Sequence, residues 1–396
     1  MAQRIDKMYE EAVESSLLPG ISVMAGDKNG NIVYSKSIGT ASLKEGRDLP
    51  FTASTVCAFA SMSKLMTSVA VLQCVEEGKL DLDMDVKPLL PSIGKYGIMK
   101  SFDEEKNSAV LEESTATITL RMLLSHTSGH EYDWFGPEVG KWRASRGEEP
   151  WTGLTVEDKS VLPLVFTPGT SWAYGAGIDW AGKLVEIATG DTLDAFTRAR
   201  IWKPLGIEDD LSFYPKSRPS GRHQHPQRKG EPPAVDAASF DILFGGTECF
   251  GGVGLFGSTA AYHFFVSALL RRDQRLLKPD SYVELFRPQL NEHLEEEFNK
   301  YVAKSPVHTA LLGMGIPLSI RKTWSFAGMV AKEAQPGRFA AGTTLWGGVP
   351  CAEWFIDHES GLCATVLCQI FPPMHPPVMA LHARFQSELF RMIHNE

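Results

Sequence analysis

The feature that most constrains this chain is the distribution of its β-prone runs, which stand at both ends with residues 83–305 of a different character between them. Residues 21–25 and 32–37 flank the turn-rich Asp27-Lys28-Asn29-Gly30-Asn31 and read as a hairpin. Residues 324–330, 343–346, 352–356 and 362–370 are short β-prone runs separated by Gly, Pro and Asp, the pattern of an antiparallel meander. The two groups therefore belong to a single sheet. Helices should cover it: Ile5, Met8, Tyr9, Ala12 and Val13 share one helical face that ends at Pro19-Gly20, and Val378, Leu381, Phe385, Leu389 and Met392 share another behind Pro376-Pro377. Between the ends, helical patterns such as residues 120–124 and 180–188 alternate with long polar loops. One of these, residues 215–233, is rich in Pro, Arg, His and Gln and is expected on the surface and mobile. The expected fold is an antiparallel sheet flanked by helices, built from residues 1–82 and 306–396. Residues 83–305 would form an inserted helical subdomain, with the site in the cleft between.

Composition narrows the partners. The balance of 39 Lys and Arg against 48 Asp and Glu gives a net charge of −9, and no basic stripe is present to track a phosphate backbone, so nucleic acid is not an expected partner. No apolar run approaches the ~18 residues of a membrane-spanning helix. The first residues, Met1-Ala2-Gln3-Arg4-Ile5-Asp6-Lys7, lack the apolar core of a secretory signal, which points to the cytoplasm. Cys57, Cys74, Cys249, Cys351, Cys363 and Cys368 form no C-x-x-C pair and read as buried free thiols, with neither a disulfide framework nor a zinc site.

Chemistry begins at Ser61-Met62-Ser63-Lys64. A Ser-x-x-Lys match is weak by itself, and Ser319-Ile320-Arg321-Lys322 supplies a second one in a polar, β-branched stretch where no helix would unite the pair. Ser61 differs, because Met62, Leu65, Met66, Val69 and Leu72 trace an apolar helical face that starts at the serine and ends before Gly78. Serine and lysine three apart on a first helical turn share a face. The free N–H groups there favour the anion formed when a serine attacks a carbonyl, and a buried lysine can act as general base. A helix cap followed by a solvated lysine remains the bland alternative.

Two later elements bear on that choice. Tyr174 sits in Trp172-Ala173-Tyr174-Gly175-Ala176-Gly177, where a phenol near an ammonium can shuttle a proton, or can be an ordinary core tyrosine. In Trp346-Gly347-Gly348-Val349, glycines inside a strand pattern mark close backbone approach, and N–H groups near Gly348 and Val349 can join that of Ser61 as an oxyanion hole; a plain bulge competes.

Together, Ser61-x-x-Lys64, the glycine-flanked Tyr174 and Trp346-Gly347-Gly348 resemble the serine β-lactamase and penicillin-binding superfamily, in that order along the chain. More narrowly they resemble the class C β-lactamase-related esterases and transesterases, in which W-G-G replaces the lactamase K-T-G. The likeness extends through residues 72–78, Leu124-Ser125-His126-Thr127-Ser128-Gly129, residues 179–186 and Glu248-Cys249-Phe250-Gly251-Gly252. It implies a serine β-lactamase-like α/β fold. It also implies Ser61 as nucleophile, Lys64 as its base, Tyr174 as the group that deprotonates an incoming alcohol, and Tyr132 as a pocket tyrosine touching the acyl group. Tyr174-Gly175-Ala176 lacks the polar third residue of the lactamases, and Lys322-Thr323-Trp324 is no K-T-G, so β-lactam turnover is disfavoured.

The implied activity is acyl transfer through an ester on Ser61, from a thioester or activated ester (a carrier protein or a coenzyme A-like donor) to a hydroxyl of an apolar small molecule such as a polyketide, with no metal and no cofactor. A carboxylesterase using the same residues is the alternative, followed by a β-lactamase or peptidase and by a silent binding protein. His126 suggests a Ser-His pair but fits a structural turn better, and His223 and His225 fit a solvated loop better than a metal site.

Overall fold

In the computed structural model the protein is described over residues 2–43, 49–214, 226–227, 235–236, 241–243 and 245–394. Most of the loop at residues 215–233, with His223 and His225, lies outside them.

The first helix, α1 (Ala2–Glu14), buries Ile5, Met8, Tyr9 and Ala12 and leads into the hairpin β1 (Gly20–Asp27) and β2 (Ile32–Gly39). Helices α2 (Ser63–Glu76), α3 (Leu120–Ser125), α4 (Gly177–Thr189) and α5 (Thr259–Leu270) follow, among shorter elements. The chain then returns through β3 (Lys322–Trp324), β4 (Met329–Ala331), β5 (Thr344–Gly348), β6 (Ala352–Asp357) and β7 (Leu362–Leu367) to α6 (Pro376–His394). All seven strands form one antiparallel sheet in the order β3-β4-β5-β6-β7-β1-β2. The pairing of β7 with β1, Ser22 opposite Leu367 through Asp27 opposite Leu362, joins the two ends of the sequence. This is the antiparallel sheet flanked by helices, built from both ends of the chain, that the sequence pattern predicts.

Both faces of the sheet are covered, which explains why β6 and β7 are buried at every residue instead of alternating. On one face Phe385 of α6 packs against Tyr9 of α1 and Tyr34 of β2, with ring centroids 6.0 and 6.1 Å away. On the other, α5 lies so close that a Cβ on Gly26 would come within 3.0 Å of His263 Nε2. Helix α5 therefore belongs to the sheet's own layers, although the sequence placed it in the inserted region 83–305. Helix α2, read as part of the sheet portion, packs in turn on α4. The segments interleave more than the two boundaries imply.

One β-prone run also divides. Residues 324–330 are two strands, β3 and β4, turned at Ser325, whose hydroxyl donates to Gly328 O at 3.0 Å. The turn was hidden because Phe326 and Ala327 within it are themselves buried.

Truncating Phe385→Ala removes the ring that couples both terminal helices to β2 and should lower unfolding stability by about 3–5 kcal/mol. Denaturant titration measures it, and a loss under about 1 kcal/mol would show that the helices are held by other contacts.

Candidate active site

The serine is presented by a short strand that changes into a helix. Residues Cys57–Ala58 pair with Phe256–Gly257, and the Gln369 side chain clamps Ala58 on both sides, accepting from its N–H at 3.1 Å and donating to its carbonyl at 3.2 Å. Ala60 then takes a left-handed conformation at φ 48°, unusual for a residue with a Cβ, and turns the chain sharply. The turn is held by Ser63, whose hydroxyl donates to Ala60 O at 2.6 Å and accepts from Leu255 N–H at 3.0 Å. Ser61 lies in the 3₁₀ turn Ala60–Met62 that precedes α2, not on the first turn of the α-helix as its sequence pattern suggested. Lys64 lies just inside α2.

Tyr174 arrives from the middle of the chain. Its loop is sewn to the segment after α3, with Tyr132 N–H donating to Tyr174 O at 3.1 Å and Ala173 N–H to His126 O at 3.2 Å. Gly175 is required there, since a Cβ would stand 2.2 Å from His130 O. On the sheet side, a Cβ on Gly348 would stand 2.2 Å from Phe59 O, so the end of β5 lies against the residues leading into Ser61.

These approaches bring three polar atoms together. Ser61 Oγ accepts from Lys64 Nζ at 3.0 Å and from Tyr174 Oη at 2.7 Å. Tyr174 Oη accepts in turn from Trp346 Nε1 at 3.2 Å, and the lysine ammonium stands 4.7 Å from the Tyr174 ring centroid. Ser61, Lys64 and Tyr174 are only 6%, 2% and 4% exposed, so their interactions act in a medium far less screening than water.

Other candidates fall in different places. Tyr132 is fully buried beside Lys64: its Oη accepts from Lys64 Nζ at 3.4 Å and donates to Asp179 Oδ2 at 3.1 Å. Trp346 contributes an indole N–H to Tyr174, while Gly347 faces Glu353 across the β5–β6 ladder and Val349 follows the strand, half-buried. Lys322, the lysine of the second Ser-x-x-Lys, donates to the carbonyls of Pro317 and Ile320 at 2.9 and 2.8 Å, and burial pushes it down to about 8. His126 caps α3 at φ 60° and is enclosed by Trp172, Tyr174 and Trp324, and among the described residues neither ring nitrogen has a hydrogen-bond partner. Burial, reinforced by the Lys64 charge, holds its pKa well below 6.5. The described cysteines are buried and free.

Asp179 was missed as a site residue. It is fully buried on the first turn of α4, where the helix N-terminus favours a carboxylate, and burial raises its pKa while Lys64 draws it back. The available signal was an acid next to Ile178, Trp180, Ala181 and Leu184 on a helix otherwise read as apolar. Among the described residues no group of His, Cys, Asp and Glu is arranged to hold a metal, and no helix is long and apolar enough to cross a membrane.

Known proteins share this architecture along the whole chain. The profile of the beta-lactamase family matches residues 5–388. A monacolin J acid methylbutanoyltransferase of Aspergillus terreus is 34% identical over 395 residues, covering 98% of this chain and 95% of its own. A lovastatin esterase of Penicillium rubens is 32% identical over 397 residues, 98% of each. The unliganded structure of simvastatin synthase from Aspergillus terreus superposes with a TM-score of 0.88 at 32% identity, covering 98% of each chain.

The buried histidines give a pH signature. His130 and His263 are held down to about 4 and His126 well below 6.5, all chiefly by burial. A histidine depressed in the folded state supports folding above its unfolded pKa of ~6.5, and that support fades as pH falls toward the folded value. A His126→Phe variant should therefore lose less Tm than the wild type as pH falls below ~6.5, and parallel Tm curves would contradict the neutral, buried imidazole.

Proposed function

The chain belongs to the beta-lactamase family, and within it we propose that it moves an acyl group from an activated ester or thioester to the hydroxyl of an apolar small molecule through an ester on Ser61. The family and its acyltransferase and esterase relatives make it a serine acyl-transfer enzyme. The observation that carries the finer reading is the approach of Lys64 Nζ, three residues along the chain, and of Tyr174 Oη, from a segment 113 residues away, to Ser61 Oγ at 3.0 and 2.7 Å. That is the geometry of a nucleophile within reach of its proton acceptors.

In the first half-reaction Lys64 takes the Ser61 proton as Oγ bonds to the donor carbonyl, whose π pair moves onto oxygen. The Ser61 N–H and the N–H groups near Gly348 and Val349 are the proposed donors to that oxyanion, a reading supported by the close approach of Gly348 to Phe59 O. The tetrahedral species collapses, breaking the bond to the thiol or alcohol, and Tyr174, hydrogen-bonded to Ser61 Oγ, serves to protonate the leaving group. In the second half an acceptor hydroxyl gives its proton to Tyr174 as its oxygen attacks the acyl carbon, and the new tetrahedral species collapses by breaking the bond to Oγ, which takes back the proton held by Lys64 and restores Ser61. The chemistry needs no cofactor. A carrier protein or a coenzyme A-like thioester is the proposed donor class. The acceptor class draws support from the methylbutanoyltransferase likeness. A second reading, hydrolysis of small esters, is favoured by the similarity to lovastatin esterase. We assign residues 83–305, apart from α5, to the lobe that brings Tyr132 and Tyr174 over the serine.

A p-nitrophenyl ester separates these cases. The wild type should release a burst of nitrophenol and carry an acyl mass on the Ser61 peptide, both lost in Ser61→Ala, and Lys64→Ala or Tyr174→Phe should slow the burst about 100- to 10,000-fold. A burst that survives in Ser61→Ala removes the proposal. Faster turnover with a new ester on adding hydrophobic alcohols marks a transferase, whereas indifference to alcohol marks an esterase.

A further inference from the structure

Lys64 Nζ faces three acceptors. Besides Ser61 Oγ it reaches Gly252 O at 2.9 Å and Tyr132 Oη at 3.4 Å. A neutral amine has two N–H donors and one lone pair. With the hydrogens directed to Gly252 O and Tyr132 Oη, the lone pair is left facing the Ser61 hydroxyl. These two acceptors decide where the base points.

Both are held by the same carboxylate. Gly252 N–H donates to Asp179 Oδ1 at 2.8 Å, and Tyr132 Oη–H donates to Asp179 Oδ2 at 3.1 Å. Each group thus gives a hydrogen to Asp179 and an oxygen to Lys64. The packing admits no slack, because a Cβ on Gly252 would stand 2.7 Å from Asp179 Oδ2, and Gly251 is as tightly set against Ile178 O at 2.8 Å. Thr67 of α2 pins the same loop by donating to Gly251 O at 2.7 Å. Asp133, the next acid along from Tyr132, is engaged elsewhere by Arg143 at 2.7 Å and Trp151 N–H at 2.9 Å.

We infer that Asp179 is the positioning residue of this site: its carboxylate fixes Tyr132 and the Gly252 peptide so that the Lys64 lone pair faces Ser61, and it balances the ammonium that forms when the Ser61 proton arrives. The inference rests on Lys64 being the base in the proposed reaction. It follows the logic by which a nucleophile's base is oriented by a third group, here through a phenol and a peptide instead of directly. Replacement by asparagine keeps the shape but changes the hydrogen bonds. Its Nδ2 would donate to Tyr132 Oη, the phenol proton would turn toward Lys64, and it would compete for the lone pair that Ser61 needs.

The test uses the full chain with Asp179→Asn, Tyr132→Phe and the double variant, following the rate of the nitrophenol burst, the donor KM and the Tm. Asp179→Asn should slow the burst by about 10- to 100-fold with KM within about twofold, Tyr132→Phe should slow it less, and the double variant should match Asp179→Asn, since both act through one network. A burst within about threefold of wild type in Asp179→Asn overturns the inference, as does an additive double variant or a loss seen in KM alone. Should Asp179→Asn not fold, Tyr132→Phe decides: a slowed burst at unchanged KM supports the network and an unchanged burst overturns it. A burst that persists in Lys64→Ala removes the general-base reading itself, whereas loss in Lys64→Ala beside an unaffected Asp179→Asn removes only the role of Asp179.

Discussion

A hydroxyl held between an amine at 3.0 Å and a phenol at 2.7 Å, all three nearly sealed from water, is the constraint on which this structure turns. Water would screen the three and offer each another partner, so the arrangement persists only where the backbone closes around it. The closure comes from places where a side chain is missing. Gly348 brings the sheet against Phe59, Gly175 brings the tyrosine loop against His130, and Gly252 brings a third segment against Asp179; a Cβ at any of them would stand 2.2–2.7 Å from its neighbour. The chemistry is carried by polar side chains, but their convergence is carried by glycines.

The sheet was legible for a related reason. Its strands are short, β-branched and bounded by turn residues, and that pattern survives even where both faces are buried. Residues 324–330 misled as one run because the turn residues Phe326 and Ala327 are buried as deeply as the strands beside them. The helix of Ser61 was legible in its apolar spacing, whereas the 3₁₀ entry was not. Ala60 carries no mark of its left-handed backbone; the conformation is imposed by Gln369, Leu255 and Ser63, and Gln369 and Leu255 are remote in sequence. Tyr132 was readable as a site tyrosine by likeness alone, while its position beside the lysine depends on contacts with Asp179 that no local pattern encodes.

Hydrogen-bond capacity separates the two tyrosines, which look alike in the sequence. Tyr174 Oη receives the indole N–H of Trp346, which directs its own proton to Ser61 and leaves the remaining lone pair open. Tyr132 Oη gives its proton to Asp179 and turns its oxygen to Lys64. One phenol therefore has its hydrogen at the serine, and the other has its hydrogen at Asp179 and its oxygen at the lysine. His126, within 4.9 Å of the Tyr174 ring, takes no part in this exchange because burial keeps it neutral and it has no hydrogen-bonded path to Ser61 among the described residues.

The same enclosure bears on whether an acyl group passes to an alcohol or to water. Both acceptors present a hydroxyl proton to Tyr174, and the phenol cannot distinguish them by hydrogen bonding. Discrimination must come from the surface around the acyl carbon: Trp172, Trp324 and Trp346 are themselves buried, while Trp134, stacked on Tyr132 with ring centroids 5.2 Å apart, is an exposed aromatic joined to the same cluster. An apolar acceptor gains by burying its carbon skeleton against apolar surface, at roughly 25 cal/mol per Å², whereas water gains nothing comparable. A difference of 1.4 kcal/mol is a factor of ten, which burial of about 60 Å² supplies. In the proposed reaction the balance between transfer and hydrolysis is then set by how much acceptor surface the site covers, with the proton machinery common to both.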